Sequence, residues 1–88
     1  MTKPKLFVKQ GCPWCIEALE YFKTKAVDFE IIDVRTEPTR MPELIEASSQ
    51  SKTPTLQDGD FVVADFDIEE FETAMFKNPQ EANKLGLA

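Results

Sequence analysis

A short apolar run that ends in Gly11-Cys12-Pro13-Trp14-Cys15 and passes straight into helical spacing most narrows the folds open to this chain. Residues 5–9 (Lys-Leu-Phe-Val-Lys), bounded by Pro4 and Gly11, read as a strand. Residues 13–25 place Ile16, Leu19 and Phe22 at helical spacing, with Ala18 and Ala26 on neighbouring sides. Pro13 suits the first helical position, where its missing N–H removes no hydrogen bond. Residues 29–34 (Phe-Glu-Ile-Ile-Asp-Val) read as a second strand, rich in β-branched side chains. Strand, helix and strand in this order imply a parallel pair joined by a right-handed crossover.

The remainder completes the pattern. Residues 40–48 read as a second helix, its start confined by Pro38 and Pro42. Residues 55–58 and 61–64 read as two strands around Asp58-Gly59, a strong hairpin signal. A third helix is expected from about residue 68 to 77, opened by Asp67 with Glu70 three positions on. Ile68, Phe71, Met75 and Phe76 supply its apolar face. Asn78-Pro79-Gln80-Glu81 starts a short last helix that Gly86 stops, and its few apolar residues give it little to dock with. The order β-α-β-α-β-β-α predicts an α/β protein with a four-stranded mixed sheet and a short extra C-terminal helix, the smallest form of the thioredoxin fold.

Eighty-eight residues make one domain, residues 1–88, too small to hold both a core and a large cavity, so any site is expected at the surface. Seven Phe among 42% hydrophobic residues argue against disorder. A net charge of −6 with no basic stripe excludes phosphate-backbone recognition, so no nucleic-acid partner is expected. No apolar run approaches membrane-spanning length, so no membrane partner is expected. The passage from Met1-Thr2-Lys3-Pro4-Lys5 into Leu6-Phe7-Val8 has no secretory pattern, and a cytoplasmic location is expected. A purely structural disulfide is uncommon there.

Cys12 falls at the expected helix N-terminus, where unpaired N–H groups and the helix dipole favour an anion. Cysteines so placed have pKa values of roughly 3.5–7.5 against about 8.5 when free. The thiolate is the attacking species in disulfide exchange, so Cys12 is the expected nucleophile. Cys15, one turn later on the same side and less exposed, is the expected resolving thiol. Other readings are a zinc site, an inert core pair and a static disulfide. Zinc usually takes four N or S ligands, and the chain has no His and only these two Cys. Pro13 and Trp14 after Gly11 at a strand end disfavour a buried pair, and the compartment disfavours a static bridge.

These residues resemble the glutaredoxin family over nearly the whole chain, from Leu6 to Met75. Cys12-Pro13-Trp14-Cys15 is close to the CPYC motif of dithiol glutaredoxins, and Gln50, Thr53-Pro54 and Asp67 stand at matching distances. The resemblance implies a cis Pro54 against the cysteine pair, with the Thr53 backbone pairing with a bound cysteinyl peptide as an added strand would. It implies Lys9 and Gln50 at one glutathione carboxylate, and Phe66 and Asp67 at the γ-glutamyl end through backbone N–H groups and the acidic side chain. Trp14, in place of the usual Tyr, lines the rim or covers the helix start. Read without the resemblance, Lys9 and Gln50 are solvated surface residues and Asp67 is a helix cap. Two departures stand out. Lys52-Thr53-Pro54 replaces the common Thr-Val-Pro, and Ala64-Asp65 replaces a Gly-Gly pair that lets the family's backbone approach its ligand. Lys52 would offset the added negative charge of Asp65.

The resemblance implies a glutathione-dependent thiol–disulfide oxidoreductase, monomeric, acting on protein disulfides and glutathione mixed disulfides. No permanently bound cofactor and no metal are expected, with glutathione as reducing co-substrate. One alternative is an electron donor of the ribonucleotide reductase type, reduced by a thioredoxin-reductase-like flavoenzyme. Another is an iron–sulfur module, which Pro13 disfavours because the cluster-bridging members mostly carry a smaller residue there.

Overall fold

The computed structural model describes residues 3–87; Met1 and Thr2, the start of the N-terminal stretch read above, and Ala88 lie outside the described residues. Strand β1 is Lys5–Val8, helix α1 Pro13–Thr24 and strand β2 Glu30–Asp33. A 3-10 turn at Pro38–Arg40 leads into α2, Met41–Ser48. Strands β3 (Thr55–Asp58) and β4 (Phe61–Val63) precede α3 (Ile68–Lys77) and α4 (Pro79–Lys84). The sheet order is β2-β1-β3-β4, with β1 parallel to β2 and the other pairs antiparallel. The expected α/β thioredoxin-type arrangement is the observed one.

Alternation along β1 divides the interior. Leu6 and Val8 face α1 and α3, where they meet Leu56, Ala18, Phe22, Phe66, Phe71 and Met75. Phe7 faces the other way, onto Ile32, Val34 and Leu44 of the α2 side. Both faces of the sheet are therefore covered, as a parallel strand pair requires. Phe22 is the hub of the aromatic layer, with ring centroids 4.6 Å from Phe29 and 4.9 Å from Phe71, both edge-on.

Several expectations need correction. The buried stripe of α1 is Cys15, Ala18 and Phe22, so Ile16 is displaced to the outside and stays 51% exposed. Ala26 lies beyond the helix in a left-handed turn at φ 56°. In α3 the stripe is Phe71 and Met75, one turn apart, which leaves Phe76 about 100° round the helix and 87% exposed. Arg40 belongs to the 3-10 turn rather than to the second helix. The last strand stops at Val63 because the chain turns at Asp65, φ 51°.

The last helix docks despite its polar composition. Ala82 and Leu85 are buried in the α1–α3 side of the core. An acid pair joins them: Asp58 at the end of β3 is buried, and Lys84 Nζ lies 3.2 Å from its Oδ2. Burial, together with a hydrogen bond to Asp58, pushes the Glu81 carboxyl up to about 7. The Glu81 hydrogen bond holds Asp58 below its ordinary value, with Lys84 adding to the effect. Between pH 4.5, the ordinary glutamate value, and about 7 the folded chain keeps a proton that the unfolded chain releases. Stability from Glu81 is therefore full below 4.5 and lost as pH rises through 7. Asp58 acts in the opposite sense, and its contribution is lost only as pH falls below the carboxylate range. With no His in the chain, little else titrates in this window. The melting temperature is expected to fall by about 5 °C from pH 5 to pH 8, an effect on the order of 1 kcal/mol. Glu81→Gln keeps an N–H donor toward Asp58 and should flatten that slope. An unchanged slope in the variant, followed by circular dichroism, would remove the pair from the account.

Candidate active site

The turn between β1 and α1 is shaped by Gly11, whose φ of 84° is the left-handed region that favours glycine. The N–H of Cys12 donates to the Lys9 carbonyl at 3.2 Å, closing the turn. Arg35 braces it from outside, with Nη1 donating to the Gln10 carbonyl at 2.9 Å. No local sequence signal marks Arg35, which reaches across from the β2 side. Pro13 starts the helix, and Cys12 is its N-cap: the Cys12 sulfur accepts the N–H of Cys15 at 3.3 Å. Cys12 thus takes the position usually held by Ser or Asp, and one otherwise unpaired helix donor is directed at its sulfur.

The two thiols are free and unequal. Burial alone would push Cys12 up, but hydrogen bonds from the Cys15 side chain and N–H, the Thr53 hydroxyl and the Trp14 N–H outweigh it. The Cys12 thiol is thereby held below its ordinary 9.0. Cys15 is 1% exposed; its burial, and next the hydrogen bond it shares with Cys12, push it up to about 11. Its sulfur accepts the Lys9 N–H at 3.5 Å and donates to Thr53 Oγ1 at 3.2 Å. The Cys12 sulfur thus gives up its proton more readily than a free thiol, and the Cys15 sulfur beneath it less readily.

The Thr53-Pro54 peptide bond is cis, and both residues are buried beside the pair. The Thr53 carbonyl stands 3.9 Å from Cys12 Sγ. Gln50 organises the approach to this turn. Its amide nitrogen donates to Ser48 Oγ at 2.8 Å and Thr55 Oγ1 at 3.2 Å, and its carbonyl oxygen accepts the Lys52 N–H. The side chain expected at a ligand carboxylate is thus engaged within its own loop.

Phe66 and Asp67 stand where the resemblance places the far end of the groove, but their N–H groups are already paired. The Phe66 N–H donates to the Pro54 carbonyl at 3.2 Å, and its ring is in the core. The Asp67 N–H donates to Glu70 Oε1 at 3.0 Å while Asp67 Oδ1 accepts the Glu70 N–H at 2.7 Å, a full capping box. Trp14 is 59% exposed and forms, with Asp65, Phe66, Asp67 and Glu70, a cleft of about 310 Å³. Lys9 is half-buried and directly follows β1. Lys52 Nζ lies 3.9 Å from Asp65 Oδ2, with both groups exposed, and such a pair offsets charge only weakly. Asp65 keeps the positive φ that glycine would take at its place, which Asp tolerates better than most residues. Among the described residues no three His, Cys, Asp or Glu side chains are grouped as a metal ion would need.

Known proteins share this frame. The Glutaredoxin family model matches residues 5–62, a span containing both cysteines, Gln50 and the Thr53-Pro54 turn. An uncharacterized glutaredoxin-like 8.6 kDa protein in the rubredoxin operon of Clostridium pasteurianum is 33% identical over 60 residues, which is 67% of this chain and 80% of that protein. The glutaredoxin grx-1 from Archaeoglobus fulgidus shares the fold with a TM-score of 0.69 at 24% identity, over 83% of this chain and 85% of that one. A mutant thioredoxin-like protein gives 0.72 at 28% identity, over 86% of this chain and 97% of that one. An N-capping thiol, a buried partner one turn on and a cis-proline turn against them lie within the matched span, and the chain belongs to the glutaredoxin family, with its thioredoxin-like fold.

Proposed function

We propose that the protein is a dithiol glutaredoxin. Cys12 attacks protein disulfides and glutathione mixed disulfides, Cys15 resolves the protein adducts, and glutathione restores the dithiol. The inequality of the thiols carries this reading: Cys12 is held low by four hydrogen bonds while Cys15 is pushed up to about 11. Lys9 meets a glutathione carboxylate, and the Thr53 backbone pairs with the bound peptide. Trp14 and Asp67 line the groove on the α3 side. The chain works as a monomer in the cytoplasm and keeps no resident cofactor.

A second reading has support of its own. The paired N–H groups of Phe66 and Asp67 and the carboxylate of Asp65 make the groove less receptive to an anionic tripeptide. They favour an electron donor that a flavoenzyme reduces.

The two separate by reductant. The protein, oxidised to the Cys12–Cys15 disulfide, is mixed with millimolar glutathione or with NADPH and thioredoxin reductase. Trp14, the single tryptophan, reports on the adjacent bridge. Fast reduction by glutathione, slowed about tenfold by Lys9→Glu, is the expected result, equivalent to about 1.4 kcal/mol of lost binding. Sluggish glutathione with a fast flavoenzyme would establish the second reading. Inertness to both would remove the redox role.

A further inference from the structure

The resolving step poses a proton problem. To attack Cys12, the Cys15 sulfur must shed a proton that it holds tightly at neutral pH. The chain has no His. Among the described residues the buried polar side chains are Thr53, Thr55 and Asp58. Asp58 lies at the far end of β3, paired with Lys84. Thr55 Oγ1 is turned to the Lys52 carbonyl at 2.9 Å. Thr53 alone touches both sulfurs: its Oγ1 is 3.2 Å from Cys15 Sγ and 3.9 Å from Cys12 Sγ. The residue is only 8% exposed, so bulk water has little access to the path between them. A hydroxyl both accepts and donates, so it can receive a proton on one side while releasing another on the other.

We propose that the Thr53 hydroxyl is a catalytic proton relay for the resolving step. The inference rests on the dithiol reading above and gives the Thr53 side chain a role beyond its backbone. In the first step the Cys12 thiolate attacks a substrate disulfide, and the mixed disulfide forms as the first substrate sulfur leaves as a thiolate, to be protonated by solvent. In the second step Cys15 attacks Cys12 Sγ. Its S–H proton passes to Thr53 Oγ1, the Thr53 O–H proton passes to the departing second sulfur, and the Cys12–Cys15 bond replaces the mixed disulfide. The substrate gains two electrons and two protons, and the protein dithiol becomes a disulfide.

Thr53→Val keeps the shape and branching of the side chain, and valine is the residue of the common Thr-Val-Pro. Thr53→Ser keeps the hydroxyl. The readout is the lifetime of the mixed disulfide, formed with a protein disulfide, acid-quenched and quantified by mass spectrometry across pH 6–10. Thr53→Val should lengthen that lifetime on the order of a hundredfold at neutral pH, the lower end of what a positioned proton-transfer group contributes. Its rate should recover at alkaline pH as Cys15 ionises unaided, and Thr53→Ser should stay close to the wild type. A wild-type lifetime and pH profile in Thr53→Val, or a serine variant as slow as the valine one, overturns the relay. Failure of the dithiol reading looks different: the wild type itself would then form no mixed disulfide at Cys12.

Discussion

Cys12→Ser is expected to abolish disulfide reduction, by roughly 10³-fold or more, while Cys15→Ser spares reduction of glutathione mixed disulfides and stalls on protein disulfides. The helix N-terminus stabilises a thiolate at Cys12, but a serine hydroxyl at the same place remains protonated and cannot form the mixed disulfide. The pH dependence has a defined sign. The reactive form is the anion, and hydrogen bonds hold the Cys12 thiol below 9.0. The first-step rate in a Cys15→Ser background should therefore rise with pH along a titration whose midpoint lies below 9.0, the ordinary thiol value. Serine at position 15 keeps the backbone N–H and a hydroxyl donor toward Cys12, so the midpoint should stay below 9.0 in the variant as in the intact dithiol. Rates are followed with a glutathionylated peptide and with an intramolecular protein disulfide. Retained activity in Cys12→Ser would assign the chemistry to another group.

The parts of this site that one stretch of chain encodes were legible in the sequence. Cys12-Pro13-Trp14-Cys15 sits where apolar alternation gives way to helical spacing, and the capping box of Asp67 and Glu70 is written in four residues. What was not legible depends on partners far along the chain. Periodicity marks an apolar helix face but leaves its phase open by one residue, which is why Ile16 and Phe76 emerged exposed beside buried Cys15 and Met75. Gln50 offers the same amide to a ligand or to its own loop, and only the placement of Ser48 and Thr55 decides between them. The Thr53 hydroxyl matters because cysteines 38 and 41 positions away come to rest against it. The Asp58–Glu81–Lys84 cluster likewise exists only once the last helix folds back on β3. No single-residue preference encodes such encounters.

The same phase argument yields a large stability difference between two residues of one type. Phe71→Ala should lower stability by about 3–5 kcal/mol, and Phe76→Ala by no more than about 0.5 kcal/mol. The residues are five positions apart on one helix, yet Phe71 is fully buried and Phe76 is 87% exposed. Phe71 packs edge-on against Phe22 at 4.9 Å and Tyr21 at 6.0 Å, and tilted against Phe66 at 5.3 Å. Truncating it removes its own burial and leaves three rings facing a void they cannot close. A domain of this size has only about 4–13 kcal/mol in total, so the melting temperature should fall by roughly 15 °C or more. The loss should also reach the site, because Phe66, left without its neighbour, carries the N–H that holds the Pro54 carbonyl at 3.2 Å. Urea titration of the two variants measures the difference directly. Equal midpoints would mean that α3 presents a different face to the sheet, and with it a different wall to the groove beside Cys12.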